Sequence, residues 1–375
     1  MAVVNGELLY LKDAYQTACE ATVCACSRAG ENFRVVLNQT VFFPAGGGQP
    51  ADVGMLGNAR VLDVREEDGA VVHITDAPLC VGECVRAEID WDVRFSRMQN
   101  HTGEHLLCGL AHRMYGCENV GFHLTDAVVT FDLDLPLTSA QVDALQVAAM
   151  RAVYENREVT CVSAQFVEDY RSKLEADAGL RVVIIDGYDK CACCAPHVKR
   201  TGEIGAIRIL DASPHRGGTR LTLVCGAAAY RDYAMLDATA HGLMSALSVP
   251  RGELLSGVEK VIAERDALRR QVAQLQEKCA LLELRVELIG AVAFGFLENA
   301  EFDTLRACAN TRQEKTLILL SGDGKFMVRG EGAKELGARL ANAFSGKGGG
   351  KSDFVQGKLT ASREEVKTWL CENHR

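Results

Sequence analysis

Two short runs rich in metal-binding side chains, HTGEHLLCGL at residues 101–110 and CACCAPH at residues 191–197, constrain this chain more than any other feature. On a helix, positions four apart lie above one another on one face, so His101 and His105 are placed to grip a single ion. In the second run Cys193 and His197 stand in a C-x-x-x-H relation. Two local pairs separated by a long stretch of chain are how a fold assembles a tetrahedral nitrogen and sulfur site, and zinc is its natural occupant. Any fold for this chain must therefore bring a helix near residue 100 against a segment near residue 195. Cys191 and Cys194 compete for the sulfur position, and spacing leaves them open.

The first run also reads H-x-x-E-H, the pattern of a metallopeptidase in which Glu104 is the general base. That reading needs a third, acidic ligand downstream, for which Glu175 is the candidate, and it leaves the Cys193/His197 pair without a use. A second motif, GKGGGKS, fails as a phosphate loop: counting back from Gly350-Lys351-Ser352, the first required glycine falls on Ser345. A backbone-exposing loop that meets phosphates, flanked by Lys347 and Lys351, is expected there instead.

At 375 residues with 48% apolar side chains, the chain is long enough for two to four domains with separate cores. No apolar run is long enough to span a membrane, and MAVVNGELLYLKDAYQ lacks the pattern of a secretory leader, so a cytoplasmic location is expected. The fifteen cysteines are scattered singly apart from the knot at 191–194, and are expected to be reduced. A net charge of −9 argues against a nucleic-acid partner until its distribution is read. Residues 311–375 hold 12 Lys and Arg against 8 Asp and Glu, a surplus of +4. Residues 197–220 set Lys199, Arg200, Arg208, Arg216 and Arg220 against Glu203 and Asp211. Either patch permits phosphate contact without requiring it.

Residues 1–95 are β-rich, with alternation in VRAEIDW and a turn at Asp68-Gly69, and a small barrel or sandwich is expected, taken here as a barrel. Residues 96–235 read as a mixed α+β domain around the metal pattern, including a helix opened by a Thr138/Gln141 capping box. From Leu254 to Ile289 apolar residues recur at alternating steps of four and three, interrupted only by Arg265, which predicts a coiled-coil or helical segment within 236–292 and a dimer seam. Residues 293–375 read as a small α/β domain. The class is α+β with several domains.

The segments FFPAGGGQPADVG, HTGEH, CCAPHVKRTGEIG and GGGKSDFVQGK, in that order, resemble the free-standing alanyl-tRNA editing proteins. Their long form is similar to the editing domain of alanyl-tRNA synthetase followed by that enzyme's C-terminal domain, and the likeness covers nearly the whole chain. The resemblance implies hydrolysis in trans of tRNA(Ala) mischarged with serine, and also with glycine, by a zinc protein with His101, His105, Cys193 and His197 as ligands. It implies that Thr40 and the loop Gly46, Gly47, Gly48, Gln49 with Asp52 line the amino-acid pocket, the Thr40 hydroxyl reading the serine hydroxyl. It places tRNA contacts on Lys199, Arg200, Arg220, Lys347, Lys351 and Gln356. A tRNA-binding protein with a purely structural zinc is the remaining alternative.

Overall fold

The computed structural model describes residues 6–172 and 180–374. The chain is mixed α+β with several sheets and divides into two compact units, Met1–Thr239 and Ala240–Arg375. Among the described residues no helix is long and apolar enough to cross a membrane.

In the first unit, strands β1 (Ala18–Ala29), β2 (Asn32–Leu37), β3 (Gly54–Leu56), β4 (Ala59–Glu67), β5 (Ala70–Thr75) and β6 (Cys84–Ile89) close in the order β1-β2-β5-β4-β3-β6. The β4–β5 hairpin turns at Asp68 and Gly69, both with positive φ (51° and 78°), the twist that a two-residue turn needs to match its strands. Alternating inward residues such as Val35, Leu37, Val61, Val85 and Ala87 fill the interior.

Helix α1 (Trp91–Tyr115) follows at once. The Asp90 carboxylate accepts from Val93 N at its start, and Gly116, in the left-handed conformation at φ 71°, ends it. The helix is buried on nearly every side from Met98 to Ala111. Leu106, Leu107 and Leu110 each contribute about 1.5–3 kcal/mol by leaving water.

Around it lie helix α2 (Ser139–Glu155), the three-stranded sheet β9 (Val159–Ser163), β10 (Arg181–Ile185), β11 (Asp189–Ala192), and a four-stranded sheet. The latter runs β12 (Ile207–His215), β13 (Gly218–Cys225), β8 (Val129–Leu133), β7 (Asn119–Leu124). Thr138 and Gln141 make the reciprocal cap of α2 that the sequence predicts. Helix α3 (Gly226–Leu247) carries the chain across the division between the units.

The second unit holds helix α4 (Leu254–Glu283) and a six-stranded sheet in the order β14 (Arg285–Ile289), β15 (Val292–Leu297), β16 (Thr316–Ser321), β17 (Lys325–Gly330), β19 (Phe354–Lys358), β18 (Lys347–Lys351). Helices α5 (Phe302–Asn310), α6 (Ala333–Ala343) and α7 (Arg363–Asn373) pack on it.

Two expectations are corrected here. The apolar pattern does not run as helix to Ile289: α4 ends at Glu283, Leu284 turns extended at φ −61°, ψ 114°, and Val286 and Ile289 belong to strand β14. The glycine-rich segment is not a loop but the exposed edge strand β18, paired antiparallel to β19 from Lys347↔Lys358 to Lys351↔Phe354. Its partner strand supplies the order that its own residues do not favour.

Candidate metal centre

Four side chains brought together from α1 and from the segment after β11 occupy the interior of the first unit. His101, His105, Cys193 and His197 are all buried, and one donor atom from each lies within 4.8 Å of all the others. Cys193 Sγ is 3.6 Å from His101 Nε2 and 3.4 Å from His197 Nε2. The three rings gather with centroids 4.7–5.1 Å apart.

His101 and His197 have Nδ1 hydrogen-bonded elsewhere, whereas His105 Nδ1 is buried without a hydrogen-bond partner among the described residues. His101 Nδ1 donates to Gln49 Oε1 at 2.7 Å. His197 Nδ1 donates to Thr102 Oγ1 at 3.0 Å, because that hydroxyl spends its own proton on Met98 O at 2.7 Å. His105 Nδ1 faces Asp189 Oδ2 at 3.5 Å, long for a hydrogen bond, and Asp189 is itself clamped by Arg171 through bonds of 2.9 and 2.8 Å. On His101 and His197 that leaves Nε2, which faces Cys193 Sγ. Partners of this kind fix tautomer and orientation for a metal.

The electrostatics agree. Burial works to raise the Cys193 thiol, but the neighbouring imidazoles, His101 first, outweigh it and hold the group well below its ordinary value. Burial lowers His197 to about 3, so its ring is neutral. Burial likewise opposes charge on His105, yet Asp189 and Cys193 outweigh it and raise its affinity for a proton. A divalent cation in that position satisfies the same two negative neighbours. One cysteine sulfur and three imidazoles, buried and gathered in this way, are a donor set that fits zinc.

Of the competing cysteines, Cys191 groups with His105 and Asp189 rather than with the other three ligands, and Cys194 is exposed beside the glycine loop. Glu104 is buried, and its Oε1 accepts from Cys108 Sγ at 2.9 Å and from Asn119 Nδ2 at 2.5 Å. Glu175 lies outside the described residues.

The glycine loop is pinned against this centre from two sides. Arg94, fully buried, donates to both oxygens of Asp52 and to Val41 O, and Asp52 in turn accepts from Phe43 N at 2.6 Å. Arg97 donates to Ala51 O and to Asp126. Asp52 is thus consumed in holding the loop. Gly46 and Gln49 exchange backbone bonds of 3.1 and 3.0 Å, and Gly48, at φ 83°, lies where a Cβ would strike the Phe122 ring at 2.5 Å. Phe122 stacks on His101 at 4.8 Å. Gln49 is buried, its Oε1 is taken by His101, and its Nε2 has no partner within the described chain. A buried amide N–H without a protein partner beside this cluster is a donor available to water or to a bound group.

Thr40 is buried in contact with His73 and Phe42, not with the four ligands. With His73 Nδ1 facing Val35 O at 3.2 Å, the Thr40 hydroxyl donates to Nε2 at 2.8 Å and accepts from Phe42 N at 3.0 Å, which leaves one lone pair free. The basic residues are at surfaces. Lys199 sits over the Tyr15 ring and 3.2 Å from Asp13, Arg200 is exposed, and Arg220 forms a two-pronged pair with Asp132 at 2.7 and 2.8 Å. In the second unit Lys347 and Lys351 are exposed at the ends of β18, and Gln356 accepts from Arg306 at 2.9 Å. Arg94, Arg97, Phe122, Thr102 and Asp189 were not singled out from sequence. A signal existed for the arginines, since 94, 97, 101 and 105 recur on one helix face.

Family models match two stretches: residues 14–93 match the class II (A) tRNA synthetases, and residues 180–221 match the second additional domain of threonyl and alanyl tRNA synthetases. The chain is 28% identical to the alanyl-tRNA editing protein Aarsd1 of Rattus norvegicus over 395 residues, covering 96% of each chain. It is 29% identical to Aarsd1-B of Xenopus laevis, again over 96% of each. Against the alanine–tRNA ligase of Halobacterium salinarum it is 32% identical, with 85% of this chain covering 37% of that enzyme.

Proposed function

From the premise that this chain is similar to alanyl-tRNA editing proteins along nearly its whole length, we propose that it hydrolyses, in trans, the aminoacyl ester of tRNA(Ala) mischarged with serine, with the glycine ester as the second substrate to test. The observation that carries the reading is the buried centre of His101, His105, Cys193 and His197 with the open Gln49 amide set against it. The need for such an activity is physical: an alanine pocket excludes an analogue that merely adds a hydroxyl by only about 10²-fold, so a second site that demands the hydroxyl supplies the missing selectivity.

His101, His105, Cys193 and His197 would hold zinc, which supplies a fixed positive charge where negative charge develops on the ester, and four protein donors make its shell closed rather than open. The Gln49 Nε2 donates to an ester oxygen, its position fixed through Oε1 by His101. Thr40 reads the amino acid with the lone pair that His73 and Phe42 leave free, accepting from a serine hydroxyl that alanine lacks. Asp52 serves the pocket by fixing its loop. Glu104 was the base candidate, and its bonds to Cys108 and Asn119 fit a carboxylate that braces the helix. Glu104→Gln decides between the two: a base is worth about 10²–10⁴ in rate.

Lys199, Arg200 and Arg220, and in the second unit Lys347, Lys351 and Gln356, are assigned to the tRNA. Functionally the chain is divided at 1–95 for the loop-bearing barrel, 96–235 for the metal domain, 236–292 for the helical linker and 293–375 for a tRNA-binding end. We place the protein in the cytoplasm, as a homodimer through α4. The test is deacylation of serine-charged and alanine-charged tRNA(Ala). Serine release with alanine spared is expected, and a folded His101→Ala chain that keeps full serine release would remove the centre from the chemistry.

A further inference from the structure

A largely buried ion pair stands against one of the four clustered side chains, and the proposed chemistry gives it no part. Arg171 donates to both oxygens of Asp189, Nε to Oδ1 at 2.9 Å and Nη2 to Oδ2 at 2.8 Å. Asp189 Oδ2 in turn lies 3.5 Å from His105 Nδ1. The Asp189 side chain is 3% exposed and that of Arg171 20%, so water screens the pair weakly. His105 Nδ1 is buried and has no hydrogen-bond partner among the described residues. A carboxylate is thus set before an imidazole nitrogen that nothing else serves.

The local packing fixes where that carboxylate begins. Strand β11 lies so close on α1 that a Cβ on Gly109 would stand 2.7 Å from Asp189 Cβ. Arg171 is fastened by its main chain to the same strand: its N–H donates to Lys190 O at 2.8 Å, and its carbonyl accepts from Ala192 N at 2.8 Å. From there the planar guanidinium sets the orientation of the carboxylate as well as its position, which the compact charge of a lysine would not do. The fork is needed because the pair borders a cavity of about 610 Å³, lined also by Gly109, Tyr188 and Lys190. Without it Asp189 has open space to turn into.

We infer that Arg171 is a positioning residue for the metal: acting through Asp189, it holds the carboxylate against His105 and so sets how tightly the four-donor centre retains zinc. The inference rests on the zinc reading proposed above and adds a residue whose own bonds go to Asp189 and β11. An imidazole that gives one nitrogen to a cation becomes a stronger N–H donor at the other, and a carboxylate placed to accept there fixes the ring and strengthens it as a ligand.

The test measures zinc affinity of the full chain by chelator competition, beside urea unfolding of the metal-free protein. Arg171→Met and Asp189→Asn are each expected to weaken zinc about 10–100-fold. The double variant should lose no more than Asp189→Asn alone, because the arginine has then lost the group it acts through. Arg171→Lys should fall between the wild type and Arg171→Met. A purely structural arginine predicts a different pattern, in which metal-free stability falls and zinc affinity does not. That pattern, or two single losses that multiply in the double variant, overturns the inference and leaves the centre standing. If Arg171→Met does not fold, Arg171→Lys decides: weakened zinc supports the inference and undiminished zinc overturns it. A wild-type chain that takes up no zinc removes the zinc reading and the inference together, and none of these results bears on which ester is cleaved.

Discussion

Gln49 is the residue on which the most converges, because one end of its amide is fixed by His101 and the other is buried without a protein partner. Gln49→Ala should lower serine release about 10²-fold with the metal content, read by atomic absorption in excess zinc, unchanged. His73 makes a different prediction. Burial lowers it to about 4, the bond to Val35 O acting weakly the other way. Between pH 6.5 and 4 the unfolded chain binds a proton there and the folded chain does not, so stability contributed by the neutral ring is complete above pH 6.5 and is lost as pH falls. The stability gap between the wild type and His73→Gln should narrow by about 3 kcal/mol across that window in urea titrations. At this scale the two His/Cys pairs that the fold clusters were legible from their spacing, although spacing left Cys191 and Cys194 open as the sulfur donor. Thr102, Asp189 and Phe122 were not, since nothing in a threonine, an aspartate or a phenylalanine says which distant imidazole it will meet.

Among elements, α1 sets the geometry around the His/Cys cluster, and its glycines show how closely. A Cβ on Gly109 would stand 2.6 Å from Tyr188 O and 2.7 Å from Asp189 Cβ, in the stretch that carries the partner of His105. Gly109→Ala should cost about 1–3 kcal/mol in thermal or denaturant unfolding and weaken zinc retention in a chelator competition, because the backbone of β11 must retreat and take Asp189 with it. Caps and hairpin turns were readable in advance: Thr138 with Gln141, Asp68 with Gly69, and the alternation of β6 each rest on local chemistry. The end of α4 and the strand state of β18 were not, because both are decided by pairing with neighbours in the six-stranded sheet rather than by the residues themselves.

For the whole molecule, the division into Met1–Thr239 and Ala240–Arg375 means that stability need not be one quantity. Calorimetry should resolve two transitions, and chelation or Cys193→Ser should lower only one of them, since all four ligands lie in the first unit. A single transition that shifts as a whole would mean that the units unfold together. The sequence pattern puts a boundary at 235/236, where the helical segment begins, and the contact division falls inside the continuous helix α3, which leaves no mark in composition. The edge strand β18 matters to how molecules behave in a crowd. Three glycines with bare backbone would be an invitation for one sheet to continue into the next, and Lys347 and Lys351 stand at either end of them like bollards. Neutralising both lysines should therefore turn a dispersed protein into one that forms concentration-dependent aggregates.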